Sequence, residues 1–131
     1  MEISKFHFVG YKIERIDCEI KDAFTKTPEK LNHRTHIENN FNKEDKLFVE
    51  VVLNIEVYSE SNNFRFFLKI KGGFRSEQEL PPDIFQKFSR QNAPAILYPY
   101  ARSIITNYTA QANIPPIILP TMNFFITDKS E

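Results

Sequence analysis

From Leu47 to Tyr58 the chain alternates without a fault. Leu47, Val49, Val51, Leu53, Ile55 and Val57 occupy one parity, and Phe48, Glu50, Val52, Asn54, Glu56 and Tyr58 the other. Successive side chains of a strand point to opposite faces, so this run predicts a strand with one apolar face and one partly wet face. Ser59-Glu60-Ser61-Asn62-Asn63 then supplies turn residues. Phe64, Phe66, Leu68 and Ile70 repeat the pattern against Arg65, Phe67, Lys69 and Lys71. Two such runs across a short polar link predict an antiparallel hairpin. Gly72-Gly73 is expected to end it, as a bulge or a sharp exit.

The flanks extend the sheet. Between Phe6 and Phe24, Val9, Tyr11 and Ile13 share one parity and Ile16, Cys18, Ile20 and Phe24 the other. A period of two that changes parity predicts a long strand with a bulge near Glu14-Arg15, and Gly10 marks a second irregularity. Residues 25–46 are polar and rich in turn formers. Thr35, Ile37, Asn39 and Phe41 alternate there with Arg34, His36, Glu38 and Asn40, which predicts an edge strand, and Asn42-Lys43-Glu44-Asp45 predicts a turn.

After residue 74 the period changes. Pro81-Pro82 forbids a helix before Asp83, which is placed to cap a short helix carrying Ile84, Phe85 and Phe88. Asn92 is a second cap candidate, with Pro94 in the first turn of the next helix. Ile96, Tyr100, Ile104 and Tyr108 repeat at i+4, beside the row Leu97, Ala101, Ile105, while Arg102, Ser103, Thr106 and Asn107 face elsewhere. This is an amphipathic helix of about four turns. Pro99 either kinks it or marks the start of its regular part. Pro115, Pro116 and Pro120 hold residues 114–120 extended, and a short terminal helix is expected after Asn123. Strands first and helices last predict an α+β fold with an antiparallel sheet.

The chemistry that is missing bounds the function. Lys plus Arg is 17 and Asp plus Glu is 17, giving zero formal net charge, so no global field draws a phosphate backbone, and no block of basic residues compensates. Nucleic-acid binding is not expected. No run approaches the ~18 apolar residues of a membrane span. The single cysteine, Cys18, suits a reducing compartment, and its place on an apolar parity favours an inert buried thiol over a nucleophile. His33 and His36, three apart on a strand, point to opposite faces and make a poor metal pair. No nucleophile elbow, phosphate-cradling glycine loop or metalloprotease helix is present. Neither catalytic nor metal-binding residues are assigned, no cofactor is expected, and the chain reads as a cytoplasmic binding protein and not an enzyme. Its 13 phenylalanines and 5 tyrosines suit a Phe-rich core together with an adaptable apolar contact surface.

One block is more specific. Gln91-Asn92-Ala93-Pro94-Ala95-Ile96-Leu97-Tyr98-Pro99-Tyr100-Ala101-Arg102, followed by Ile114-Pro115-Pro116-Ile117-Ile118-Leu119-Pro120-Thr121-Met122-Asn123-Phe124, resembles the SecB family of bacterial export chaperones. Glu50-Val51-Val52-Leu53 and Gly72-Gly73-Phe74 are similar to that family's third strand and to the double glycine after its fourth. The likeness runs from Phe48 to Phe124, and residues 1–46 agree only in pattern. It implies a SecB-like four-stranded antiparallel sheet with one long and one or two short helices on one face. A single domain over 1–131 is then expected, with strands over about 5–74, a crossover over 75–92, a main helix over about 93–112 and a Pro-rich loop with a short terminal segment over 113–131.

The resemblance also implies a job: ATP-independent holding of unfolded or partly folded polypeptides in apolar grooves, by a homo-oligomer built as a dimer of dimers. Phe74, Leu80, Ile84, Phe85 and Phe88 in the crossover, with Ile117, Ile118, Leu119, Phe124 and Phe125 later, are the candidates to wall such a groove. Pro94, Leu97, Tyr98, Pro99, Tyr100, Ala101, Arg102, Pro116, Pro120 and Asn123 carry the family motif and are expected to be structural, with Arg102 pairing a carboxylate or a backbone carbonyl. Members that serve the export motor SecA are strongly acidic and offer an acidic sheet surface to its basic tail. This chain is neutral, with His33, Arg34 and His36 where acids would be expected, which puts SecA docking in doubt. A dedicated client such as an antitoxin fits better. The alternative is an interaction module on the same fold without general chaperone activity.

Overall fold

The computed structural model describes residues 6–26 and 28–125. The hairpin is the centre of the fold. Strand β3 (Phe48–Ser59) pairs antiparallel with β4 (Phe64–Ser76), setting Val49 against Phe74, Leu53 against Ile70 and Val57 against Phe66. Strand β1 (Phe6–Ile20) lies on the far side of β4 and β2 (Leu31–Phe41) on the far side of β3, so the sheet order is β1-β4-β3-β2 with every pair antiparallel. The expected edge strand is therefore an edge.

Strand β1 shifts register twice, between Phe8 and Gly10 and between Ile13 and Arg15. Each shift changes which parity faces the helices. Phe6 and Phe8, then Tyr11 and Ile13, then Ile16, Cys18 and Ile20 all lie opposite the core-facing residues of β4, from Ser76 back to Phe64. Two bulges thus bring seven apolar side chains from three parity blocks onto one face. Val9, read from the sequence as a partner of Tyr11, falls in the first bulge and is 62% exposed. Phe24 is not in the strand. It sits in a five-residue helix, α1 (Asp22–Lys26), and stacks on Phe64 at 5.0 Å.

Gly72 and Gly73 do not end β4, which continues to Ser76. They serve close approach. A Cβ at Gly72 would stand 2.9 Å from a methyl of Leu97, and one at Gly73 would stand 3.0 Å from the ring of Phe48 on the other face.

The crossover is one continuous helical run. Helix α2 (Pro82–Lys87) passes through a π-helical turn, Phe88–Asn92, into α3 (Ala93–Gln111). The two expected caps are displaced. Pro81 precedes α2, with Pro82 opening the first turn and Asp83 inside it. Asn92 has helical angles, φ −74° and ψ −43°, and its side chain caps nothing. The amide of Ala93 bonds the carbonyl of Phe88 five residues back, so the pairing widens just before Pro94, which has no N–H to donate. Helix α3 also runs through Pro99, which is exposed. Leu97, Ala101 and Ile105 are fully buried against the sheet, and burying a Leu or Ile contributes about 1.5–3 kcal/mol. The neighbouring row is split, with Ile96 and Ile104 half-buried but Tyr100 and Tyr108 exposed. The chain then reverses at Asn113 (φ +65°) and returns extended along α3. The terminal helix expected after Asn123 lies largely outside the described residues.

Helices and returning chain cover one sheet face. The other face is open and charged. Glu14 pairs with Lys71 at 2.9 Å and Lys69 at 3.6 Å, Glu56 with Arg34 at 2.7 Å and Arg65 at 3.7 Å, and Arg75 with Asp45 at 2.8 Å. Arg15, Arg34 and Arg75 lie over Phe67, Tyr58 and Phe48. No helix of the described residues is long and apolar enough to cross a membrane.

Candidate functional site

The Pro-rich return is held to α3 by its backbone. Along one stripe of the helix, the Tyr98 hydroxyl donates to the Pro120 carbonyl (2.8 Å), Arg102 Nε to the Leu119 carbonyl (3.0 Å) and the Thr106 hydroxyl to the Ile117 carbonyl (2.7 Å). The Ile117 amide donates to Thr109 Oγ1 at 2.9 Å. The extended segment therefore runs antiparallel to the helix as a strap. Prolines at 115, 116 and 120 prevent it from coiling, and the helix supplies the donors that satisfy its carbonyls. Each bond contributes a net ~0.5–1.5 kcal/mol. Arg102 thus takes the backbone carbonyl of the two partners expected for it. Thr106 and Thr109, at helical spacing from Tyr98 and Arg102, belong to the same stripe, a role that their polar character alone does not announce. Burial pushes the Tyr98 hydroxyl pKa up, which keeps it a donor.

The strap forms one wall of a cleft of about 760 Å³. Ile117, Ile118, Leu119, Pro116 and Pro120 stand on that side. Phe24, Pro28, Leu31, His33 and Val57 stand on the other, with Lys26, Glu29 and Asn32 at the polar rim. Glu29 is fixed by hydrogen bonds from Ser61 and from Asn63 Nδ2 (2.9 Å), which hold its carboxyl below the usual carboxylate range and tie the α1–β2 link to the hairpin turn. A second cleft, of about 230 Å³, opens at the other end of β2 between Phe41 and Phe48 on the sheet and Leu80, Pro82 and Phe85 on the crossover. The rings of Phe41 and Phe85 meet edge to face at 5.7 Å. Both clefts lie beside β2, whose outer edge has no strand partner in the described sheet.

The groove candidates separate into groups. Phe74, Phe88 and Phe124 are core, each 1% exposed or less. Phe88 stacks on Phe6 at 3.6 Å and meets Phe74 edge to face, and Phe124 meets Tyr98 at 5.6 Å. As the chain stands, these three offer no surface to a ligand. Phe85, Ile117 and Leu119 are largely buried yet reach cleft walls, and half-buried Leu80 lines the second cleft. Ile84, Ile118 and Phe125 are exposed, Ile118 by 74%. Of the motif residues, Pro94, Leu97, Tyr98 and Ala101 are buried, whereas Tyr100 faces out. Asn123 accepts from the Phe125 amide at 3.0 Å, in the last described turn. Sequence reasoning missed Leu31, His33, Phe24 and Phe41 as cleft residues, because a groove between distant segments leaves no local period. His33 lies on the helix side of β2 and His36 on the open side. Cys18 is half-buried on β1, and burial raises its thiol pKa.

The described residues thus form a sheet closed on one face by a helix and a strap, with apolar clefts beside its polar edge strand. The comparisons give the family. The family described as preprotein translocase subunit SecB matches residues 17–127, and the chain belongs to it. A Rickettsia bellii protein-export protein SecB is 29% identical over 119 residues, covering 80% of this chain and 78% of that protein. The uncharacterized protein MJ0357 of Methanocaldococcus jannaschii is 30% identical over 118 residues, covering 89% and 76%. Among solved structures, the SecB-like chaperone Rv1957 of Mycobacterium tuberculosis, in complex with a ChAD peptide from the HigA1 antitoxin, superposes with a TM-score of 0.75 at 10% identity, covering 92% of this chain and 89% of that one. That likeness is one of fold.

Proposed function

We infer that this SecB-family protein is an ATP-independent holdase that takes extended, unfolded segments of client polypeptides in the two clefts beside β2. The observation that carries this reading is the larger cleft. It is mostly apolar, built by a proline-stiffened strap bonded through its backbone, and open beside a strand edge that has no strand partner in the described sheet. An edge strand offers main-chain hydrogen bonds to any sequence, and apolar walls take side chains with little selectivity. The Rv1957 chaperone carries an antitoxin peptide, which supports a polypeptide occupant and favours a dedicated client of that kind. Exposed Ile118 stands on the wall of the larger cleft and half-buried Leu80 on that of the smaller.

The opposite edge supports self-association. Val9, Tyr11 and Ile13 of β1 are exposed, and Phe8 and Tyr11 meet the exposed Tyr100 of α3 at 5.5 and 4.9 Å. An apolar strand edge continuous with an apolar helix row is a surface for a second copy of the chain, in an assembly expected to be a dimer of dimers acting in the cytoplasm. On the open face, Glu14, Glu50 and Glu56 already pair with bases of the same chain, so a dock for a basic partner tail such as SecA's is not proposed.

The test is binding of a fluorescently labelled, chemically unfolded protein to wild type and to Ile118→Asp. The variant changes an exposed residue and is expected to keep its fold while losing about tenfold or more in affinity, since an apolar contact becomes a desolvated charge. Equal binding by a folded Ile118→Asp would remove the strap cleft from the site.

A further inference from the structure

The two clefts lie at opposite ends of one strand face. Between them, the helix-side face of β2 carries Thr35, Ile37 and Asn39, opposite Ile55, Leu53 and Val51 of β3. Ile37 packs against the core. Its two neighbours are not satisfied: Oγ1 of Thr35 and Oδ1 of Asn39 are buried and have no hydrogen-bond partner among the described residues. A buried polar atom without a partner penalises the state that buries it, and each such atom in a native fold calls for a physical reason. Here the two flank one apolar residue, on an edge strand, in the stretch that separates two apolar clefts. A state in which this stretch parts gives both atoms water or a ligand and removes that penalty.

We propose that the two clefts are the ends of one groove whose middle is shut in the free protein, and that an extended polypeptide opens it and bonds Thr35 and Asn39. This rests on the reading that the clefts take client polypeptide. It adds a length and a pattern. From His33 in the first cleft to Phe41 in the second is about eight residues of strand, or roughly 27 Å at ~3.4 Å each. The client segment therefore carries two apolar anchors about eight residues apart, with hydrogen-bonding side chains or backbone between them. Thr35 and Asn39 act as selectivity residues, because an occupant without polar groups at their level leaves both unpaired.

The probes are a synthetic Ser- and Gln-rich peptide with two tryptophans about eight residues apart, and the same peptide with one tryptophan. Affinities are read by fluorescence anisotropy on wild type and on the double variant Thr35→Val, Asn39→Leu, which removes both orphan atoms at nearly constant volume. The double variant is expected to melt about 2–6 °C higher. In wild type the two-anchor peptide binds about tenfold or more tighter than the one-anchor peptide. In the variant that advantage falls to about twofold or less, while one-anchor binding stays the same, because each cleft is already open. An intact two-anchor advantage in a stabilised variant overturns the proposal, and so does a melting point that does not rise. If neither peptide binds wild type, the client reading of the clefts fails and the proposal with it, an outcome the one-anchor peptide alone reveals. Should the double variant not fold, hydrogen exchange on wild type decides. The two-anchor peptide, and not the one-anchor peptide, must slow exchange of the Thr35–Asn39 amides, and equal protection by both overturns the groove.

Discussion

The sheet has two edges, and they solve the same problem in opposite ways. Each presents a strand with no further strand partner in the described sheet, which invites further pairing. Strand β1 is apolar on its helix side, bulged twice and continuous with an aromatic row on α3. Strand β2 is polar, regular in register and flanked by clefts. On the proposed reading, the bulged, apolar β1 edge takes a second copy of the chain, and the regular β2 edge, with apolar clefts at its ends and unpartnered polar atoms between, takes a variable guest.

The comparison is broken most severely at the core both edges share. Phe88→Ala is expected to destabilise by about 3–5 kcal/mol in chemical denaturation and to abolish both assembly and client capture. Next in size, Tyr11→Lys combined with Ile13→Lys should lower the mass in solution below that of the wild-type assembly while leaving one-anchor peptide binding unchanged. Loss of peptide binding with the mass intact would reverse the roles assigned to the two edges. Arg102→Ala acts on the β2 side alone. Removing the donor to Leu119 is expected to lower stability by about 1–2 kcal/mol and to weaken client binding by loosening the strap, with no effect on assembly.

The smallest effect concerns pH. Lys71 holds Glu14, the Ser61 and Asn63 donors hold Glu29, and Arg75 holds Asp45, each below its ordinary carboxylate range. Folded values below unfolded ones contribute stability that is present above about pH 4–4.5 and is lost as pH falls through the depressed values. Thermal melts from pH 6 downward should show a decline that starts below about pH 4.5 and is shallower in Glu14→Gln. Glu14 is exposed and Glu29 and Asp45 are half-buried at the surface, where solvent screens such pairs, so the decline is slight. An identical profile in the variant would mean that the Glu14–Lys71 pair adds nothing.

Much of the fold was legible because its signals are local. The alternation from Leu47 to Val57 and the parity change in β1 are both visible within a few residues of sequence, and both faults fall where Gly10 and Glu14-Arg15 pointed. The helix boundaries were less legible. Asp83 and Asn92 look like caps, yet the π turn at Phe88–Asn92 joins α2 to α3 without an end to cap. Gly72-Gly73 looked like a strand end because the reason for both glycines, Leu97 on one face and Phe48 on the other, comes from elsewhere in the sheet and from α3. The site was the least legible. Apolar residues of the crossover and strap were identifiable, but only packing separates buried Phe74, Phe88 and Phe124 from exposed Ile84, Ile118 and Phe125. The cleft walls on β2 and α1 come from segments about 80 residues away in sequence from the strap.

The most direct measurement is light scattering of a chemically unfolded model protein diluted with stoichiometric wild type and no ATP, alongside Ile118→Asp combined with Leu80→Asp, one residue from each cleft, with solution mass recorded on the same samples. A holdase that uses the β2 clefts predicts that wild type delays aggregation and that the folded, normally assembled variant does so several-fold less. No delay by well-folded wild type would contradict general holding and leave a module for one dedicated partner.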